Sequence, residues 1–395
     1  MDNRVYYGEY SLAYWIELIL KKNIELPEYQ RNFVWEETSF KTLIESWKNK
    51  QFIPPITIGS YKSDDGNKNL IIDGQQRLTS ILLAYLDRFP KREAATGAVE
   101  ILANDNDDAS DDDEEENENM LEWTFREFLA KGKNKTEILL KCSSEHYKVL
   151  NLNLDEEFFQ KNYLGFSYLV PANSDTSTQQ KFFSTVFRNI NIQGKSLYVL
   201  ESRASLYFLN SGLKAWFNPD FCKEISSSIV DKSVKSRMDF VRYVSLLSQY
   251  KHTQKINVVA YRYARKMEGF YEKYIYSVVN DEDSDLFGKF TDIYIDKNYS
   301  ERMTRLNEYI DQLKFRNYYS SIIDMDIYFF GLIYFVLFEK NEIDLTRKEN
   351  LLETLKSQIK QIKGDAKHTK TPSLLKYLRE RITKSISIYH IYKQA

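Results

Sequence analysis

Between Leu70 and Leu83 the chain reads Leu-Ile-Ile-Asp-Gly-Gln-Gln-Arg-Leu-Thr-Ser-Ile-Leu-Leu, a knot of polar side chains between two apolar runs. These residue types can handle an anion. Asp73 offers a carboxylate that would hold a magnesium ion or orient a water. Gly74 lets the backbone come close to a phosphate, and Arg77 can neutralise that phosphate with two parallel hydrogen bonds. Gln75 and Gln76 carry donor and acceptor atoms together, which suits a phosphate, a base or a water nucleophile. Gly-x-x-Arg is a common tetrapeptide, and a capped junction with solvated glutamines explains it as readily, so the setting has to decide.

The setting is a strand that hands over to a helix. Ser63-Asp64-Asp65-Gly66-Asn67 is rich in turn formers, and the short β-branched run Leu70 to Ile72 then predicts a strand leaving a hairpin. Leu78, Ile81, Leu82 and Tyr85 recur at helical spacing. A handover at Gly74 leaves the first helical N–H groups unpaired at the positive end of the helix dipole, where a phosphate or carboxylate can sit. Upstream, Leu12, Trp15, Ile16 and Ile19 predict an amphipathic helix from about Ser11 to Lys22, with Ser11 as its N-cap. Ile24 to Arg31 begins extended because Pro27 disfavours helix. Phe33, Val34 and Trp35 form an apolar anchor. Thr38 or Ser39 would then cap a helix carrying Phe40, Leu43, Ile44 and Trp47, stopped at Ile53-Pro54-Pro55-Ile56, and a strand from Ile56 to Tyr61 completes the hairpin.

The 395 residues, 43% hydrophobic and 28% charged, suffice for two or three soluble domains with a sizeable core. Cys142 and Cys222 form no ligand spacing, and with four histidines in the chain a structural zinc site is not expected. A reducing, cytoplasmic location fits. The N-terminus lacks a basic-then-apolar leader, and the longest apolar run, Ile327 to Phe338, is about half of the roughly 20 residues a spanning helix needs. That run reads as a buried core helix, with no membrane association.

The net charge of −2 conceals an asymmetry. Ten acidic residues and no basic ones lie between Asp105 and Glu118; setting them aside leaves 55 basic against 47 acidic residues. From Lys340 to Ala395 there are 13 Lys and Arg against six Asp and Glu. Such a surface suits nucleic acid, although a solvated Lys-rich helical face has the same composition. Residues 96–119 read as an acidic, disordered insertion. It would mask a basic groove, or simply aid solubility.

A strand is expected over Glu137 to Cys142 and helices after Leu154. Phe182, Phe183, Val186 and Phe187 form a helical stripe running into Arg188-Asn189-Ile190-Asn191-Ile192-Gln193-Gly194, which is turn chemistry. Beyond Glu201 the sequence reads as almost wholly helical: Phe240, Tyr243, Val244 and Leu247, then Val258 to Tyr274, the Ile327 helix, Leu351 to Ile362, and a basic amphipathic helix from Ser373 to Tyr392. No Gly-x-Ser-x-Gly, Walker P-loop or His-Glu-x-x-His is present.

Three separated pieces together resemble the N-terminal domain of the GmrSD-type, modification-dependent restriction systems. They are Pro27-Glu28-Tyr29-Gln30-Arg31 with Trp35; Ile72-Asp73-Gly74-Gln75-Gln76-Arg77-Leu78-Thr79-Ser80; and Phe187-Arg188-Asn189-Ile190-Asn191 with Gly194, Leu197 and Glu201. The resemblance covers roughly residues 10–215. It implies an α+β chain: a ParB/sulfiredoxin-like nucleotide-binding domain with a small mixed sheet over residues 1–215, followed by a mainly α-helical domain with basic C-terminal helices over 216–395.

The resemblance also implies that a nucleoside triphosphate is bound and hydrolysed, with or without magnesium. The catalytic group would be Asp73, Gln75, Gln76 and Arg77, with Asp73 the metal ligand. Gly74 and Thr79 would hold the nucleotide, Tyr29, Gln30 and Arg31 would face it, and Arg188, Asn189, Asn191 and Gly194 would close the pocket. Partners implied are DNA, including modified phage DNA, and a nuclease subunit. His146, His252, His368 and His390 are isolated and none lies in a His-x-x-Pro context, so the His-Asn-His-type cleavage site of longer relatives is not found here. The leading expectation is an NTP-dependent sensor or regulatory subunit of an anti-phage restriction system. The alternative is a DNA-binding or assembly module without turnover; a stand-alone nuclease with an unrecognised site is a weaker third. Whether the chain forms a homo-oligomer is open.

Overall fold

A computed structural model describes residues 3–25, 33, 35–63, 66–91, 101–103, 134–141, 147–172, 175, 178–179, 182–183, 185–187, 190, 203, 206–229, 232–264, 266–295 and 298–394. The chain divides into two units, Met1–Val99 with Asp112–Asn210, and Glu100–Asp111 with Ser211–Ala395. Strands and helices both build the chain, an α+β architecture.

The first unit is organised on a five-stranded mixed sheet. Its strands are β1 (Arg4–Ser11), β2 (Ile24–Glu25), β3 (Ile56–Ser63), β4 (Gly66–Asp73) and β8 (Tyr163–Val170), in the order β1-β8-β3-β4-β2, while β5 (Arg88–Pro90) and β7 (Tyr147–Val149) pair with each other. β3 and β4 form the expected antiparallel hairpin, whereas β3 and β8 run parallel. Strand β8 follows a helix at Glu156–Lys161, where further helix was expected. Helices α1 (Leu12–Leu20), α2 (Glu37–Lys48) and α3 (Gln75–Leu86) share one core, containing Trp15, Ile19, Phe40, Trp47, Ile71, Leu78 and Leu82. Leu70 and Ile72 point to the opposite face, where they cluster with Leu169, Phe183 and Phe187. Successive strand residues face opposite ways, so a sheet covered on both sides needs the unbroken Leu70-Ile71-Ile72 run. Ser11 caps α1 as expected, accepting a 3.2 Å hydrogen bond from the Tyr14 N–H.

Three local expectations are corrected. Helix α2 starts earlier than Thr38 or Ser39 would place it, with Glu36 at the N-cap and no side-chain cap bond. The strand expected over Glu137 to Cys142 is a helix, α4 (Lys135–Lys141), opened by Asn134, whose Oδ1 accepts the Glu137 N–H at 3.0 Å. Within the acidic segment, Ile101–Ala103 forms strand β6. Its Ile-Leu-Ala sequence precedes the charge run; the rest of 96–119 lies outside the described residues.

The second unit is not purely helical. It contains a four-stranded sheet ordered β11-β9-β10-β6, with β9 at Ser226–Ile229, β10 at Lys232–Met238 and β11 at Tyr318–Tyr319. Its principal helices are α5 (Phe240–Thr253), α6 (Met267–Asn280), α7 (Tyr299–Gln312), α8 (Ile322–Ile333), α9 (Lys348–Lys363) and α10 (Leu375–Ile391). The helix expected from Val258 begins only at Met267, because Ala260 takes a φ of 52°, which ends any continuous helix through it. The Ile327 run is buried core, as expected; among the described residues no helix is long and apolar enough to cross a membrane.

An ionic cluster lies inside this unit. Asp326 on α8 accepts two hydrogen bonds from Arg242 on α5, at 2.6 and 2.8 Å, and one from Arg381 Nε on α10 at 2.8 Å. The Tyr243 hydroxyl adds a fourth at 2.8 Å. Burial opposes the Asp326 carboxylate, but the two guanidinium groups outweigh it and hold its pKa below the ordinary value. Arg381 is thus no part of the basic surface. Arg347, Lys348, Lys363 and Arg379 likewise bond inside the unit, to Ile391 O, Gln312 O, Asp324 and Val259 O.

His368 is stacked on Tyr377 with ring centroids 4.3 Å apart. Its Nε2 lies 3.0 Å from Arg381 Nη1, which can only donate, so Nε2 accepts and the ring is neutral. Burial first, and then the Arg381 charge, lower its pKa to about 4. An unfolded histidine titrates near ~6.5, so between those values the unfolded chain binds more protons and stability falls as the pH drops, by up to about 1.4 kcal/mol per pH unit. Denaturant midpoints taken at pH 7 and pH 5 should show this fall in the parent. The fall should be smaller in His368→Gln, which keeps an acceptor for Arg381 but does not titrate.

Candidate functional site

Strand β4 delivers Asp73 to the mouth of α3, and the turn between them is a single residue. Gly74 has φ 96° and ψ 13°, in the left-handed region that a side chain makes costly. A Cβ there would lie 2.3 Å from Ile56 Cγ2 on β3 and 3.1 Å from Arg77 Nη2. Position 74 is therefore glycine for two reasons, backbone sign and space. The Gly74 carbonyl accepts the Leu78 N–H at 3.0 Å, closing the first helical turn.

Arg77 folds back onto Asp73, with Nη2 donating to Oδ2 at 2.6 Å. The sequence reading gave Arg77 to an anion and Asp73 to a metal; the structure pairs them with each other. The i, i+4 separation of acid and base across a helix start could have signalled it. The Asp73 side chain is 37% exposed and that of Arg77 13%, so the pair sits at the surface of the junction. Among the described residues no three His, Cys, Asp or Glu side chains gather as metal ligands.

The buried side of the junction differs. Gln75 is only 3% exposed, yet among the described residues neither its Oε1 nor its Nε2 has a hydrogen-bond partner. Thr79, one turn further along the same face, is fully buried with its Oγ1 also unpartnered. A buried polar atom without a partner costs about 1–3 kcal/mol, which folded proteins rarely tolerate without a use for it. Gln76 is 7% exposed; its carbonyl accepts the Ser80 hydroxyl at 2.8 Å. Asp73, Gly74, Gln75, Gln76, Arg77 and Thr79 are thus brought together at one helix N-terminus.

Tyr29, Gln30, Arg31, Arg188, Asn189, Asn191 and Gly194 lie outside the described residues. Their described flanks are informative. Strand β2, just before the first group, pairs in parallel with β4 through Ile24–Asn69 and Glu25–Leu70. Phe187, the residue before Arg188, clusters with Leu70 and Ile72 of β4. Both flanks therefore adjoin the strand that carries Asp73.

A small mixed sheet with helix α3 springing from a strand end, and a polar Asp-Gly-Gln-Gln-Arg junction at that point, defines an α+β module built around one helix N-terminus. Residues 16–208 match the family described as GmrSD restriction endonuclease, N-terminal domain, and the N-terminal unit belongs to that family. A stretch of the chain is 36% identical to an uncharacterized protein of Methanocaldococcus jannaschii, covering 17% of this chain and 15% of that relative's length. No solved structure matches.

Proposed function

We propose that the N-terminal unit binds and hydrolyses a nucleoside triphosphate at the start of α3, and that the chain is the NTP-dependent sensor or regulatory subunit of a DNA restriction system. Family membership supports the restriction context. The observation that carries the nucleotide reading is the pair of buried, unpartnered polar side chains, Gln75 and Thr79, at a helix N-terminus whose glycine admits close approach. Phosphate oxygens would take the free N–H groups of the first turn. Arg77 would leave Asp73 for the phosphate, a move that partial exposure of the pair allows, and the released carboxylate would orient a water for attack. Magnesium would arrive with the phosphates, and Asp73 could meet it through Oδ1, the carboxylate oxygen that Arg77 does not use. DNA cleavage, of modified phage DNA among other targets, would come from a partner nuclease.

Phosphate release from ATP and GTP, with and without duplex DNA, tests this. Arg77→Ala and Asp73→Ala should each slow turnover by about 100-fold or more, the scale for removing a group that stabilises transition-state charge. Unchanged binding and turnover in both variants would overturn the assignment. A second reading, a DNA-binding or assembly module without turnover, is favoured by the way Asp73 already satisfies Arg77. Its sign would be DNA binding that weakens with salt and ignores nucleotide.

A further inference from the structure

The second unit holds a cleft that the nucleotide reading does not use. It has a volume of about 880 Å³ and lies among the segment after α5, the later half of α6 and the loop that follows α6. That is within the range of small-molecule sites, about 300–1,000 Å³. Three tyrosines line it: Tyr261, Tyr263 and Tyr276. Tyr261 is 71% exposed, a high value for an aromatic ring at the mouth of a concave surface. Tyr263 is fixed in place: its ring lies 5.4 Å from that of Phe270, and its hydroxyl accepts a 2.7 Å hydrogen bond from Lys273 Nζ.

The charges are segregated by segment. Lys255 and Arg262 come from the stretch after α5, and Lys273 stands on α6; Glu282, Asp283 and Asp285 come from the loop after α6. Lys255, Arg262, Glu282, Asp283 and Asp285 make no ion pair among the described residues, although both signs line one cleft. Elsewhere in the same unit neighbouring charges do pair, as Arg316 does with Asp311 and Glu224. The cleft therefore offers three kinds of contact at once: aromatic faces, unengaged cations and unengaged carboxylates.

A nucleotide unit has the matching parts. Its base stacks on a tyrosine, its phosphate meets Lys255 and Arg262, and its sugar hydroxyls or exocyclic amines donate to carboxylates. A purely anionic ligand would be repelled by Glu282, Asp283 and Asp285, and a purely cationic one by the opposite group. We infer that this cleft binds a nucleoside monophosphate unit, presented either by single-stranded nucleic acid or as a free nucleotide. The site is independent of Asp73 to Arg77, so either assignment can fail alone.

Fluorescence anisotropy with a 5′-fluorescein-labelled oligothymidylate of 12 residues tests the inference on the full chain, with thymidine 5′-monophosphate and adenosine 5′-monophosphate as competitors. Tyr261→Ala and Arg262→Ala alter exposed side chains and should fold. Each is expected to weaken binding roughly tenfold, the scale of one lost base–aromatic stack or phosphate contact. Arg77→Ala should leave this binding unchanged. Displacement only by excess oligonucleotide assigns the site to single strands; displacement by the monophosphates assigns it to free nucleotide. Absence of binding to every probe, or binding indifferent to both Tyr261→Ala and Arg262→Ala, overturns the inference.

Discussion

Asp326→Ala is expected to remove about 3–5 kcal/mol or more of stability, enough to unfold the C-terminal unit of a chain of ordinary stability. The reason is asymmetry. Two guanidinium groups, Arg242 and Arg381, are fully buried and share this one carboxylate, and deleting it leaves both charges in a dry interior. Asp326→Asn keeps the shape and an acceptor oxygen but not the charge, and should also be strongly destabilised. Replacing Arg242, Asp326 and Arg381 together by Met, Leu and Met should recover much of the loss, since an apolar set of similar volume has no ions to desolvate. Urea denaturation followed by far-ultraviolet circular dichroism checks all three. The exposed pair Lys161–Glu157 is the control, with side chains 72% and 63% exposed; breaking it should cost less than about 1 kcal/mol.

Gly74→Ala is the second large effect. A left-handed non-glycine residue costs about 1–3 kcal/mol. The added methyl, 2.3 Å from Ile56 Cγ2, forces a displacement in a packed layer worth about 1–3 kcal/mol more. Denaturant unfolding of the N-terminal unit should therefore lose about 2–6 kcal/mol in total. The double variant Gly74→Ala with Ile56→Ala separates the two causes in part: it removes the 2.3 Å contact with Cγ2 but keeps the one at 2.8 Å with Ile56 Cβ, so some of the steric loss should be recovered while the backbone part remains. A Gly74→Ala chain as stable as its parent would mean that the junction rearranges freely, and its geometry could not then be the basis of a binding site.

The Asp73–Arg77 junction was legible because every cue for it is local. A turn-rich hairpin, three β-branched or apolar residues, one glycine and a helical repeat lie within about twenty residues, and no distant contact is needed to interpret them. The helix start at Asn134-x-x-Glu137 was equally local and was missed, since the apolar Ile138-Leu139-Leu140 that follows it suggested strand; the Asn134 side chain, accepting the Glu137 N–H and donating its amide to the Glu137 carboxylate, outranks such a short run. Strands β9 and β10 carried no cue. Ser-Ser-Ser-Ile and Lys-Ser-Val-Lys-Ser-Arg-Met lack a clean alternation, and partner strands hold them extended, with Ser227 and Ser236 hydroxyls 3.2 Å apart across the pair. The carboxylate shared by Arg242 and Arg381 was invisible for the same reason: its members are 84 and 55 residues from Asp326.

Strand β6 has a consequence for the order of assembly. Ile101–Ala103 pairs in parallel with Ser236–Met238, so the segment is made more than a hundred residues before its partner, and the chain then returns to the first unit from Asp112 to Asn210. During synthesis residues 112–210 are made while Ile101–Ala103 still lacks its partner, and the sheet of the second unit gains this edge only when β10 emerges. A cut near residue 215 therefore does not separate two independent halves. A polypeptide starting at Ser211 would present the β10 edge bare, a surface prone to pairing with other copies, and supplying residues 100–111 as a peptide should restore its solubility.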